Sequence, residues 1–323
     1  MMGASENAPR FSVILPTYDG EAYVTEAIES VLQQDFSDFE LVLVDDGSED
    51  STPEIIETFG TEPRIRSRIR DENEGIARTM NEAAELANGE LLAFIDQDDL
   101  WAPDKLARHH AAHEANGADV VYSDATVIDE EGRELEHHST PMPEQPGAEL
   151  VDQLFAHSNF IYSFTSATVR KTAWEDVGGF DDRVRCCVDF DFWVRLADGH
   201  EFRHLPEPLI KRRVHSANTS LQRSPMFDDS MYVLHKAQLD QPDIGWGRHK
   251  SDFHLSRAKE AYYHEEFVLA LRHAAISLCH ELDPVPVFLL VSILLDSLPG
   301  SCRIGRRMYE LAKRFNKRRP AHR

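Results

Sequence analysis

The chain has 323 residues, 41% of them hydrophobic, and a formal net charge of −23. That length suits one large domain with an appendage or two modest domains, with apolar residues enough for a core. So acidic a body excludes nucleic acid as its main partner.

Phe11 to Leu15 is a short apolar run ended by Pro16, and predicts a first buried strand. A helix follows from about Glu21, with Val24, Ala27, Ile28, Val31 and Leu32 on one face. Leu41 to Val44 reads as a second strand, running into Asp45, Asp46, Gly47 and Ser48. Ser51 or Thr52 is placed to cap the next helix, with Pro53 in its first turn. The alternation of Arg64 to Arg70 predicts a short edge strand. Ile76, Met80, Ala83, Ala84 and Ala87 mark a helical face that Gly89 is expected to close. Leu91 to Ile95 is a further buried strand, leading into Asp96-Gln97-Asp98-Asp99-Leu100-Trp101. This rhythm predicts an α/β fold, a mostly parallel sheet with helices on both faces.

Carboxylates cannot be buried with such a strand unless they are paired or metal-bound. Asp96, Asp98 and Asp99 therefore belong at its carboxyl end, in the crevice where open α/β sheets place ligands. Three strand ends, Thr17-Tyr18-Asp19, Asp45-Asp46 and Asp96 to Asp99, then share one edge. An Asp-x-Asp there can hold Mg²⁺ or Mn²⁺ with a nucleotide diphosphate as further ligand; a solvated acidic turn is the alternative. Tyr18 can stack on a base, Asp46 can accept from base N–H groups and Arg78 can meet phosphate. Glycine-based phosphate signatures are absent, so a metal and an Arg are expected to hold the phosphates.

Six ordered motifs carry a resemblance. They are Ser12 to Asp19, Ala27 to Gln34, Leu43 to Ser48, Asn73 to Arg78, Asn88 to Glu90 and Asp96 to Trp101. Together they resemble the family 2 inverting glycosyltransferases of the GT-A fold, over roughly residues 10–220. The resemblance implies that Pro16, Thr17, Tyr18, Asp19, Asp46, Arg78, Asp96 and Asp99 bind the nucleotide sugar, and that Asp98 binds the metal. Asp19 stands where the family usually has Asn, at a position that serves structure rather than chemistry. Downstream, Val188 to Leu196 resembles the family's Glu-Asp-x-Asp-Leu-Trp-x-Arg-Leu segment, with Val188 replacing the Glu. It implies that Asp189 is the catalytic base; a helix N-cap is the other role open to it. A positioned carboxylate that takes the acceptor's proton is worth ~10²–10⁴-fold in rate. His215 resembles the family's late His that reaches metal or diphosphate, against an ordinary surface His.

Further strands are expected at Asp119 to Asp124 and Phe164 to Arg170, with a variable acidic loop from Asp129 to Pro146. The boundaries that follow are a nucleotide-sugar domain at 8–222 and a helical region at 223–323, with one helix over Ser256 to Leu278. Pro284 to Leu298 is strongly apolar but too short in its uninterrupted core to span a bilayer. From Ser301 to Arg323, nine Lys/Arg face one acid, Glu310, leaving −31 on residues 1–300. Ile304, Met308, Leu311 and Phe315 line one side of this basic tail, which suits a helix lying on an anionic leaflet. A solvated tail is the alternative.

Only eight of the 34 basic residues are Lys, and a carboxylate-dense surface stays hydrated in concentrated salt, so halophilic adaptation is expected. The four Cys show neither disulfide nor zinc spacing, and Met1 to Arg10 holds no apolar signal region. The expected setting is the cytoplasmic face of the cell membrane, with peripheral attachment. The expected partners are a UDP- or GDP-linked sugar and a lipid-linked (polyprenyl or dolichol phosphate) or glycan acceptor. The Gln-x-x-Arg-Trp motif of processive synthases is missing, so one transfer per encounter is expected. A nucleotidyltransferase and a catalytically silent sugar-nucleotide scaffold are the rival readings.

Overall fold

A computed structural model describes residues 8–139, 147–156, 161–216, 218, 223–263, 266–280, 287, 289–291 and 293–294. The chain forms two compact units, Met1–Asp229 and Ser230–Arg323. The tail at 301–323 and most of 284–298 lie outside the described residues.

The first unit opens with β1 (Phe11–Thr17), α1 (Val24–Leu32), β2 (Phe39–Asp45), α2 (Thr52–Thr58), β3 (Ile65–Ile69), α3 (Ile76–Leu86) and β4 (Leu91–Phe94). β5 (Leu100–Trp101), α4 (Lys105–Asn116), β6 (Val120–Ile128), β7 (Glu134–His138), α5 (Ala148–Ala156) and β8 (Ala167–Arg170) follow. It closes with α6 (Lys171–Asp176), α7 (Val188–Ala197) and β9 (Phe202–Arg213), and α8 (Arg223–Asp240) begins within it. The nine-stranded sheet runs β3-β2-β1-β4-β8-β6-β9-β5, with β7 added to β6. Its first half is wholly parallel, with Thr17 level with Asp45 and Ile14 level with Phe94. Beyond β4 the sheet is mixed: β8 is antiparallel to β4 and β6, while β6 and β9 are parallel.

Every residue of β1, β2 and β4 is buried, so all three strands are covered on both faces. One face packs Val13, Leu15, Leu41, Leu43 and Ala93 against Ala27, Ile28 and Val31 of α1. On the other, α3 lies against β1 and β2. Phe94 meets Phe164, Phe180 and Phe192 there, with ring centroids 5.4, 5.8 and 6.4 Å away. Such pairs add ~0.5–1.5 kcal/mol each beyond their buried area. They seat α7 beside the strand that carries the acidic turn.

Several local expectations are corrected. Gly89 does not close α3, whose C-cap is Ala87; it is needed because a Cβ there would come within 2.5 Å of the Ser12 nitrogen. At α2, Ser51 makes no side-chain cap, and Asp50 accepts the Thr52 N–H instead at 2.9 Å. The presumed acidic loop contains β7, a hairpin partner of β6. The helix expected over Ser256 to Leu278 is two, α9 (Trp246–Tyr263) and α10 (Phe267–His280), and the Glu266 N–H bonds the Ala261 carbonyl where the chain turns. Folding back lets Ala258, Ala261 and Tyr262 pack on Ala270 and Ala274, together with Leu289 and Ile293. One straight helix would have left this alanine face in water.

Candidate active site

The parallel register brings the ends of β1, β2 and β4 to one edge. At the end of β2, buried Asp45 accepts from Thr17 Oγ1 (2.8 Å) and Ser48 Oγ (2.6 Å), which ties the first two ends together. Asp46 accepts the N–H groups of Glu74 (2.9 Å) and Gly75 (2.8 Å) and pairs with Arg70 at 2.9 Å. A carboxylate offers about four acceptor sites, so one remains for a base N–H. Arg70 also holds Glu82, which fixes the β3–α3 segment around Asp46.

Pro16 lies within β1, and Tyr18 stands just past it, 42% exposed, with its backbone held from both sides by the amide of Gln97 (2.8 and 2.9 Å). Asp19 has φ +47°, a left-handed conformation that Asn and Asp tolerate better than most residues. Its carboxylate accepts the Glu49 N–H at 2.9 Å, which is a structural role. Arg78, on α3, is half exposed and pairs with Asp182 at 3.1 Å, so an incoming phosphate would compete with one surface carboxylate.

The acidic turn is held from three directions. Asp99 is buried and accepts from Thr165 Oγ1 (2.6 Å) and the Arg213 N–H (2.9 Å). Asp96 accepts from Ser163 Oγ at 3.2 Å, and its own N–H donates to Thr165 Oγ1. Arg213 is 2% exposed; it bonds the Asp98 carbonyl (3.0 Å) and Glu26 on α1 (2.7 Å), and lies 4.6 Å above the Tyr23 ring. Asp98 Oδ2 lies 2.8 Å from His215 Nε2 and accepts from Asn218 Nδ2 at 3.0 Å. The Tyr23 ring also backs the imidazole, 5.2 Å between centroids. Ser163, Thr165, Arg213 and Asn218 stand far from the turn in sequence and form no motif with it, so sequence reasoning missed them.

Asp189 occupies the first turn of α7, after the N-cap Cys187, and accepts the N–H of its neighbour Phe190 at 2.7 Å. It is therefore not the helix cap. α7 is aimed by Arg195, which pairs with buried Asp191 (2.8 Å) and bonds the carbonyls of Val177 and Gly179. Gly179 has φ +71°, and a Cβ there would strike Asn81 at 2.7 Å; Asn81 in turn clamps both backbone groups of Phe180. Ahead of the helix, Asp229 accepts the N–H groups of Arg185 (2.8 Å) and Cys186 (2.6 Å).

Electrostatically the turn and the start of α7 form one site. Burial, then the Asp98 charge, pushes Asp96 up to about 7; Asp189 adds to the rise and Arg212 opposes it. Burial with Asp98 and Asp96 likewise raises Asp99. The Arg212 guanidinium, stacked 4.7 Å over Tyr162, faces both Asp96 and Asp99. A cluster of carboxylates of this kind is the complement of a divalent ion. At 2.8 Å, Asp98 Oδ2 and His215 Nε2 stand at hydrogen-bond distance, and no group of three or more His, Cys, Asp or Glu side chains that could hold a metal ion occurs among the described residues. Asp98 and His215 are the two side chains here whose donor atoms suit a divalent cation, and such a cation would need further ligands from water and substrate.

The family model described as Glycosyl transferase family 2 matches residues 12–178. A hyaluronan synthase of Pasteurella multocida is 28% identical over 267 residues, 80% of this chain and 26% of that protein. A chondroitin synthase of Escherichia coli is 29% identical over 221 residues, 68% and 31% respectively. The chain spans about a third or less of the length of these relatives. S. aureus TarS 1-349 in complex with UDP-GlcNAc superposes with a TM-score of 0.65 at 20% identity, covering 95% of this chain and 92% of that one. The mannosyltransferase PcManGT from Pyrobaculum calidifontis, in complex with GDP-Man and Mn²⁺, gives 0.59 at 19% identity, over 97% and 89%. The fold is GT-A.

Proposed function

The chain belongs to glycosyl transferase family 2, and we propose that it moves one sugar from a UDP- or GDP-linked donor to an acceptor hydroxyl, with inversion at the anomeric carbon. The observation that carries this reading is the meeting of Asp98 with His215, together with a second carboxylate, Asp189, whose charge reaches Asp96. Asp189 takes the proton of the acceptor hydroxyl. The freed oxygen attacks the anomeric carbon from the face opposite the diphosphate, and the bond from that carbon to the leaving oxygen breaks. Tyr18 stacks on the base and Asp46 accepts from it, while Arg78 leaves Asp182 for phosphate. Asp98 and His215 hold Mg²⁺ or Mn²⁺, which supplies Lewis-acid stabilisation of the departing diphosphate when bound. The nucleotide sugars held by TarS and PcManGT support the donor class, and the Mn²⁺ of PcManGT supports the cation.

The acceptor in this proposal is a lipid-linked glycan on the cytoplasmic face of the membrane, used in surface glycoprotein or polysaccharide assembly, with one sugar added per encounter. The basic run 301–323 supports it through its attraction to anionic headgroups. Halophilic adaptation belongs to the same reading and rests on the acidic, Lys-poor composition.

The test is calorimetric titration of UDP, GDP and dTDP, with and without Mn²⁺ or Mg²⁺, at moderate and at molar salt. Metal-dependent binding of one diphosphate, lost in Asp98→Ala, is the expected result. Folded protein that binds no diphosphate would overturn the transferase reading.

A further inference from the structure

The three carboxylates of the acidic turn are sorted by two hydroxyls. Thr165 lies in a short 3-10 turn, Phe164–Ser166, and is fully buried. Its Oγ1 accepts the Asp96 N–H at 3.0 Å, which leaves its single proton for Asp99 Oδ2, 2.6 Å away. Ser163 Oγ accepts the Thr165 N–H at 3.0 Å and donates to Asp96 Oδ2 at 3.2 Å, the nearer of two carboxylates within its reach. Asp98 takes neither hydroxyl and turns to His215 and Asn218. Asp99 is where the two halves of the site meet. Its Oδ1 accepts the Arg213 N–H at 2.9 Å, and Arg213 Nε bonds the Asp98 carbonyl at 3.0 Å, two residues before His215. Along the chain Asp98 and His215 are 117 residues apart. Through Asp99 and Arg213 they are joined by a single hydrogen bond, with the one to the Asp98 carbonyl in parallel.

We propose that Asp99 is a positioning residue, which ties Thr165 to Arg213 and thereby sets Asp98 against His215, rather than a residue that touches the donor. This rests on the cation reading of that pair given above. Burial decides between the two roles. A carboxylate that grips a ligand keeps an oxygen toward the open edge of the site, and Asp99 is only 1% exposed with a partner on each oxygen. The side chains of Asp98 and His215 keep 17% and 13%. A buried carboxylate is tolerated when N–H and O–H donors satisfy it, and here those donors come from two distant segments. The bonds that satisfy Asp99 are therefore the same bonds that bring the segments together. Outer contacts of this kind never touch a cation, yet they orient the groups that do, and losing one costs ~10–100-fold in metal affinity.

The experiment compares the full chain with Thr165→Val, which replaces the hydroxyl by a methyl group. Hydrogen exchange should quicken ~tenfold at the Asp96 N–H, which loses its acceptor, and also at the Arg213 N–H, on a strand that the substitution does not touch. UDP affinity in Mn²⁺ should fall ~10–100-fold, while UDP affinity without metal stays as in the wild type. Thr165→Ser keeps the hydroxyl and should recover most of each loss. Asp99→Asn keeps one oxygen for the Arg213 N–H; it should weaken binding in Mn²⁺ and leave metal-free UDP affinity alone. An unchanged Arg213 exchange rate in Thr165→Val would overturn the proposal, as would an unchanged affinity in Mn²⁺. Equal losses with and without Mn²⁺ would overturn it too, by showing a general loosening in Thr165→Val or a donor contact in Asp99→Asn. Wild type that binds no diphosphate would sink the transferase reading instead, and the exchange measurement, which needs no ligand, would still decide whether Asp99 links the two segments.

Discussion

The imidazole of His215 lies 2.8 Å from the carboxylate of Asp98, across 117 residues of sequence. Neither residue is deeply buried, and the Tyr23 ring and Asn218 hold the imidazole and carboxylate facing one another. Removing either partner should therefore be felt as lost cation affinity rather than lost fold. His215→Ala, which removes a proposed ligand, is expected to weaken Mn²⁺-dependent UDP binding by ~10²-fold or more, since changes in a metal site's supporting shell alone cost ~10–100-fold. Titrating Mn²⁺ into the UDP-loaded variant measures this, and an unchanged affinity would return His215 to the surface.

Asp189→Asn keeps an oxygen for the Phe190 N–H but has no basicity. The turnover number should fall ~10²–10⁴-fold while calorimetric donor affinity stays constant. A variant that retains turnover would take the base away from α7.

Asp229→Ala should act on the reaction from a distance. Its carboxylate is the shared acceptor for Arg185 and Cys186 N–H groups, in the loop that delivers α7. Leaving them unmatched costs ~1–3 kcal/mol. Turnover should drop with little change in donor KM, and Asp229→Asn, which retains one acceptor oxygen, should recover part of both losses. Equal loss of donor affinity would mean that the whole first unit had loosened.

Acid should weaken the second unit. His254 Nδ1 lies 2.9 Å from His273 Nδ1, so one ring donates and the other must accept as neutral imidazole. Burial first, then His273, His280 and Arg272, lowers His254 to about 4; burial with Arg257 and Arg272 lowers His273 as well. The folded values lie below the unfolded value of about 6.5. The pair's contribution is thus complete above pH ~6.5 and is lost as pH falls from there toward ~4. Hydrogen exchange of α9 and α10 amides across this range should quicken, and His254→Phe should flatten the dependence.

Most strands that could be read from sequence are apolar runs, β6 and β8 among them, while the exposed edge strand β3 showed itself only by alternation. β1, β2 and β4 are covered on both faces and betray themselves as runs that end in polar residues. The acidic turn was legible for the same reason, since carboxylates adjoining a buried strand have few places to go. β7 was hidden because an exposed hairpin arm such as Glu134–His138 needs no apolar pattern. The split between α9 and α10 was hidden because an alanine-rich face reads equally well as one long helix or as two packed together. Within the site, Asp98 and Asp189 stood in recognisable segments, whereas Arg213 is defined by what it reaches: Glu26, Tyr23 and the Asp98 carbonyl. No spacing rule encodes that convergence.

The order of chain synthesis gives β9 a further consequence. The acidic turn, Tyr18 and Asp189 are all translated before it, yet Arg212 arrives only at its far end and His215 just beyond it. A nascent chain lacking that strand holds Asp96 and Asp99 without the guanidinium that faces them, and Asp98 without His215. A ligand that binds only the finished fold would, at ~100 times its dissociation constant, stabilise it by ~2.7 kcal/mol.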